Sequence, residues 1–98
     1  MAGLKILMIG AGGIGGYYAA RLARAGHELV LTARGDHLNA LKARGLTVDY
    51  EGEVLHQTLP AFSHTELIQK HEPDDFDLIV IALKSTATAP VMAKLASW

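Results

Sequence analysis

Gly10-Ala11-Gly12-Gly13-Ile14-Gly15, followed by Gly16, places five glycines within seven positions of an otherwise apolar segment. Glycines at this spacing let a backbone turn sharply and approach a bulky anion. The order G-x-G-x-x-G is that of the turn that cradles a pyrophosphate in dinucleotide-binding folds. Gly10 then makes the turn, Gly12 leaves room for the phosphates, and Gly15 allows close helix–strand packing. The unfilled N–H groups and positive end of the helix that follows attract the anion, so Ala11, Gly13 and Ile14 contribute backbone to the same cradle. A glycine-rich turn without a ligand is the plainer alternative, and it does not account for the match in order and spacing.

Arg34 is the second candidate. It lies nineteen residues after Gly15, at the end of the second apolar run, where dinucleotide folds meet the adenosine ribose. A carboxylate there accepts from a 2′-hydroxyl, whereas a guanidinium binds a 2′-phosphate through two parallel hydrogen bonds. Arg34 therefore favours NADPH. Asp36 keeps a role at a 2′-hydroxyl open if the strand runs longer. The third candidate is Lys84, directly after Ile79-Val80-Ile81-Ala82-Leu83. A lysine at the carboxyl end of a central strand can hold a ribose hydroxyl or a substrate carboxylate, and a surface lysine opening a helix is the bland alternative.

These residues need a scaffold, and the apolar pattern supplies one. Leu4–Ile9 reads as a strand covered on both faces, Ile14–Ala25 as a helix capped by Gly26, and Glu28–Ala33 as a second strand. In the first helix Ile14, Tyr17, Tyr18, Leu22 and Ala25 form the expected inner face, with Arg21 and Arg24 outside. His37–Arg44 suggests a brief helix. Leu46–Tyr50 and Glu53–Leu59 suggest a hairpin around Glu51-Gly52, and Ser63–His71 a short helix or turn. Asp77–Leu83 is the strongest strand, and a last helix begins near Ser85–Thr88 with Pro90 in its first turn. The β-α-β order predicts an α/β fold: a Rossmann-type, doubly wound, mostly parallel sheet, represented by its N-terminal portion.

Composition narrows the partners. The chain has 98 residues, net charge −1 and no cysteine. No basic tract favours nucleic acid or an anionic membrane, and thiolate or disulfide chemistry is excluded. Lys5 and the glycines interrupt the apolar N-terminus, so it reads as a buried strand rather than a secretion signal, and the protein as cytoplasmic. The histidines (His27, His37, His56, His64 and His71) show no pairing at metal-ligand spacing, so no metal is expected.

The glycine turn, the segment Gly26-His27-Glu28 leading to Arg34, and Ile79-Val80-Ile81-Ala82-Leu83-Lys84-Ser85 together resemble the N-terminal domain of the 2-dehydropantoate 2-reductase (ketopantoate reductase) family. The resemblance spans the chain. It implies NADPH held by Gly10–Gly15 and Arg34, with Lys84 on the nicotinamide side, and reduction of 2-dehydropantoate to pantoate for pantothenate synthesis. It also implies an asparagine-glycine segment and a helical C-terminal domain with a catalytic lysine and a substrate-binding glutamate. None of these is in residues 1–98, so no catalytic residue is assigned here, and the chain is expected to be a partial, truncated NADP-binding domain inactive by itself. The alternatives are a stand-alone nucleotide-binding regulatory module, or the first domain of another NAD(P)-dependent dehydrogenase. Without a further strand beside it, Asp77–Leu83 would be an exposed edge inviting self-association.

Overall fold

Alternating side chains of the first strand face two different cores. The computed structural model describes residues 3–83, 85–96 and 98, without the side chains of residues 13 and 85–87. Strand β1 (Lys5–Ile9) sits inside a four-stranded parallel sheet, between β2 (Glu28–Thr32) and β6 (Leu78–Ile81). Ile6 and Met8 enter one core with Ala19 and Ala20 of α1 (Gly13–Arg24) and Leu38 and Leu41 of α2 (Gly35–Arg44). Leu7 and Ile9 enter the other with Leu67 of α3 (His64–Lys70) and Val91 and Leu95 of α4 (Ser85–Leu95). Helices on both faces explain why β1 is a continuous apolar run rather than an alternating one.

The sheet order is β5-β2-β1-β6, with β5 (Ala61–Phe62) parallel to β2. The chain therefore builds outward on one side of β1 and then crosses to the other. This is the doubly wound pattern expected, with its switch point between β1 and β6. A separate antiparallel hairpin, β3 (Leu46–Tyr50) and β4 (Glu53–Gln57), lies against α1. Buried Leu46 and Leu55, Tyr50 with its ring centroid 4.4 Å from that of Tyr17 and tilted 35° to it, and Glu53 paired with Arg24 at 2.7 Å join it to the helix.

Three local expectations need correction. In α1 the inner face is made by Ala19 and Ala20, while Ile14 is 72% and Tyr18 54% exposed. Tyr17 and Leu22 pack against that core as expected, whereas Ile14, Tyr18 and Ala25 turn outward and small residues occupy the inner face. Ala61–Phe62 forms a strand that its two residues did not signal. The final helix starts at Ser85, which puts Pro90 beyond the first turn, inside the helix. It closes at Leu95, and Trp98 folds back so that its indole N–H donates to the His71 carbonyl.

β6 occupies an edge of the sheet, shorter than the predicted Asp77–Leu83. Leu78, Ile79 and Ile81 are all exposed there. Among the described residues no helix is long and apolar enough to cross a membrane.

Candidate functional site

The glycine turn is held from below by one buried threonine. Thr32, fully buried at the end of β2, accepts the Gly10 N–H on its Oγ1 and the Ala11 N–H on its carbonyl, both at 3.1 Å. Gly10 takes φ +94°, a conformation that side chains disfavour, and a Cβ there would stand 2.7 Å from the Ala82 carbonyl oxygen. A Cβ at Gly15 would collide with the Gly10 carbonyl oxygen and lie 2.9 Å from the Ala82 Cβ. These two glycines are required by the protein's own packing.

Gly12 differs from both. Its φ of −85° and ψ of 156° suit any residue, and a Cβ there would meet nothing within 4 Å. Gly12 is the N-cap of α1, with no side chain closing the helix end and no acidic residue in the first turn. The first N–H groups of a helix lack an i−4 acceptor, no side chain caps them here, and the space beside the Gly12 Cα is open. A group bearing negative oxygens fits that space without displacing any side chain.

The space belongs to a cleft of about 1050 Å³ at the carboxyl ends of β1, β2 and β6. Gly10, Ala11, Gly12, Ile14 and Gly15 of the turn line it together with Arg34, His37, His64 and Val80–Leu83. Ligands of open α/β sheets bind at this place, the switch point. Arg34 is exposed, serves as N-cap of α2, and makes no ion pair among the described residues. Asp36 occupies the first turn of α2 but is not among the described residues lining the cleft. Those lining residues include arginine and histidines but no carboxylate. Lys84 lies outside the described residues.

Two residues that sequence reasoning had set aside stand at this cleft. His37 reaches from α2 to the glycine turn, its Nε2–H donating to the Ala11 carbonyl at 3.2 Å. It ties the arginine side of the cleft to the phosphate side. His64, at the start of α3, carries the one buried side-chain nitrogen or oxygen among the described residues that lacks a hydrogen-bond partner, its Nε2. Burial, with the positive charges of Lys94 and Arg34 behind it, lowers the proton affinity of this imidazole. Thr32, an interruption in the run Leu29-Val30-Leu31, was a readable signal for a polar brace. His37 and His64 had none, because their places are set by tertiary packing.

A second hollow, of about 630 Å³, lies between α1 and the hairpin, lined by Tyr17, Tyr18, Leu46, Val48 and Tyr50. It shares Ala11, Gly12, Ile14, Tyr18 and His37 with the main cleft but not Arg34.

A bare helix N-terminus behind a glycine turn, at the switch point of a doubly wound sheet, defines a Rossmann-type domain of the dehydrogenase kind. The model of the ketopantoate reductase PanE/ApbA family matches residues 6–98, and the chain belongs to that family. It is 38% identical over 94 residues to a 2-dehydropantoate 2-reductase of Mesorhizobium japonicum, a match covering 95% of this chain and 27% of that protein. It is 30% identical over 92 residues to a 2-dehydropantoate 2-reductase of Aquifex aeolicus, covering 94% of this chain and 27% of that one. The chain thus spans about a quarter of the length of these relatives. Among solved structures, a D-mandelate dehydrogenase with NADH and anilino(oxo)acetate superposes with TM-score 0.83 at 24% identity, over 96% of this chain and 30% of that one. That likeness is one of fold.

Proposed function

We propose that this chain is the cofactor-binding part of an NADPH-dependent 2-dehydropantoate 2-reductase. The observation that carries this is the pairing, in one cleft, of an open helix N-terminus at Gly12 with the guanidinium of Arg34, which makes no ion pair among the described residues. A dinucleotide carrying an extra phosphate needs both, at the two ends of its adenosine half. The backbone of Gly10 to Gly15, Ala11, Gly13 and Ile14 included, holds the pyrophosphate. Arg34 holds the 2′-phosphate, and Asp36 stays outside the lining of the cleft. When bound, the nicotinamide cofactor supplies the hydride for reduction of the ketone. The chain's own residues bind and orient: Thr32 and His37 fix the turn, and Ile14 and Tyr18 present apolar surface to the cleft.

Lys84 belongs to the same proposal, at a ribose hydroxyl or a substrate carboxylate, on the strength of the family resemblance. Catalysis is completed by residues of a helical C-terminal domain outside these 98, in a cytoplasmic enzyme of pantothenate synthesis. Self-pairing of the chain along β6 is supported by its edge position and exposed apolar side chains.

Calorimetric titration tests the cofactor assignment. NADPH is expected to bind the chain at least about tenfold more tightly than NADH, the difference of one guanidinium–phosphate contact. Arg34→Asp is expected to reverse that order, since aspartate accepts from a 2′-hydroxyl, repels a phosphate, and serves equally as N-cap of α2. Equal affinities in the wild type, or an unchanged order in the variant, would overturn it.

A further inference from the structure

β5 runs parallel to β2, with Thr32 opposite Phe62, so the chain leaves the two strands side by side. The Ala33 N–H donates to the Phe62 carbonyl at 3.1 Å and holds the exits together. Arg34 follows one exit and His64 the other, and both line the cleft. The position of His64 is fixed by a capping box: Ser63 Oγ accepts the Glu66 N–H, and the Glu66 carboxylate accepts the Ser63 N–H.

We propose that His64 is a second, proton-switched cation of the phosphate site assigned to Arg34, taking up a proton from solvent when a phosphate monoester arrives. This deepens the NADPH assignment above and rests on it. The groups around the imidazole are of one sign: Arg34 at the end of β2 and Lys94 on α4. His37 stands in the same cleft. The nearest carboxylate along α3, that of Glu66, is committed to the Ser63 N–H and to Lys42, with both oxygens 2.9 Å from its Nζ. A protonated His64 therefore has no described counter-charge, and its Nε2 has no hydrogen-bond partner. Burial and the two cations hold its proton affinity below the usual imidazole value. A phosphate monoester carries close to two negative charges at neutral pH and supplies the missing counter-charge. By linkage, a ligand that raises the proton affinity of a group binds more tightly as the pH falls through that group's titration. The strand exit that carries Arg34 is the one hydrogen-bonded to the exit that carries His64, so the 2′-phosphate assigned to Arg34 is the group His64 senses.

The test uses adenosine 2′,5′-bisphosphate and adenosine 5′-monophosphate as probes, titrated calorimetrically in two buffers of different ionisation enthalpy. At about pH 7 the bisphosphate is expected to bind wild type with net proton uptake. A phosphate held by a permanent cation alone favours its dianion and releases protons, so net release would overturn the proposal. Preference for the bisphosphate over the monophosphate is expected to fall about fivefold to tenfold in His64→Gln near pH 6.5, and less than about twofold near pH 8. His64→Lys, a fixed cation, is expected to retain the preference at both pH values. Wild-type preference in His64→Gln at both would also overturn the proposal. The parent assignment fails separately, through a bisphosphate preference that survives Arg34→Asp.

Discussion

Gly12→Asp is expected to abolish dinucleotide binding while leaving the fold at least as stable. The two effects separate because Gly12 is spared by the protein's own packing. Its backbone angles suit an N-cap aspartate, and a Cβ there meets nothing within 4 Å. An aspartate at that position accepts from the first N–H groups of α1 and lies at the positive end of the helix, a gain of about 0.5 kcal/mol. The same carboxylate occupies the space left for the phosphates and repels them. Several charge-assisted hydrogen bonds are forfeited together, so affinity for NADPH should fall at least about a hundredfold, or ~2.7 kcal/mol. Thermal unfolding and calorimetric titration of the same preparation measure both. Retained binding would show that the phosphates do not use this helix end. Lost binding with a lowered unfolding midpoint would place the glycine in the structural class instead.

Gly15→Ala is expected to do the reverse, damaging the fold first. Its Cβ would collide with the Gly10 carbonyl oxygen and press on the Ala82 Cβ, and so would push α1 off the turn and away from the end of β6. The Gly10 oxygen is backbone, and its residue is braced by Thr32, so neither rotamer change nor small shifts relieve the contact. Overpacking of this kind costs about 3 kcal/mol, which for a domain of this size lowers the unfolding midpoint by roughly 15 °C. Denaturant or thermal unfolding without ligand is the measurement. An unchanged midpoint would mean that the close contact of helix and turn is not a feature of the folded protein. Together the two substitutions distinguish a glycine kept for a ligand from one kept for packing.

Much of this arrangement was legible beforehand because it rests on local pattern. β1 and β2 were readable as apolar runs bounded by glycine or charge, and the hairpin as two runs around Glu51-Gly52. The doubly wound order followed from their succession. Boundaries were less so: β6 covers four residues of the seven predicted, because pairing with β1 ends at Ile81. β5 was illegible because two residues paired along one neighbour carry no periodicity. The inner face of α1 was misjudged for a physical reason. Apolar residues were assigned inward by helical spacing, which holds for Tyr17 and Leu22, but a helix seated on a glycine turn admits alanine inward, and Ile14 and Tyr18 face the cleft or solvent.

The site divides the same way. Gly10 and Gly15 could be assigned from spacing, since their conformational demands are local. The offset of Arg34 put it at the end of β2, and it lines the cleft there. Thr32 offered a hint, a hydroxyl ending an apolar strand. His37 and His64 offered none, since one is brought to the turn by the packing of α2 and the other by the side-by-side exits of β2 and β5.

Amide nitrogen–proton correlation spectra of the labelled chain, titrated with NADPH, test the central claim most directly. The largest shifts are expected at the amides of Gly12, Gly13 and Ile14 and at the side-chain Nε of Arg34. Titration with NADH should move the glycine amides and leave the Arg34 signal nearly in place. Shifts confined to Leu46–Tyr50 in the hollow beneath the hairpin, with the glycine amides unmoved, would contradict the account.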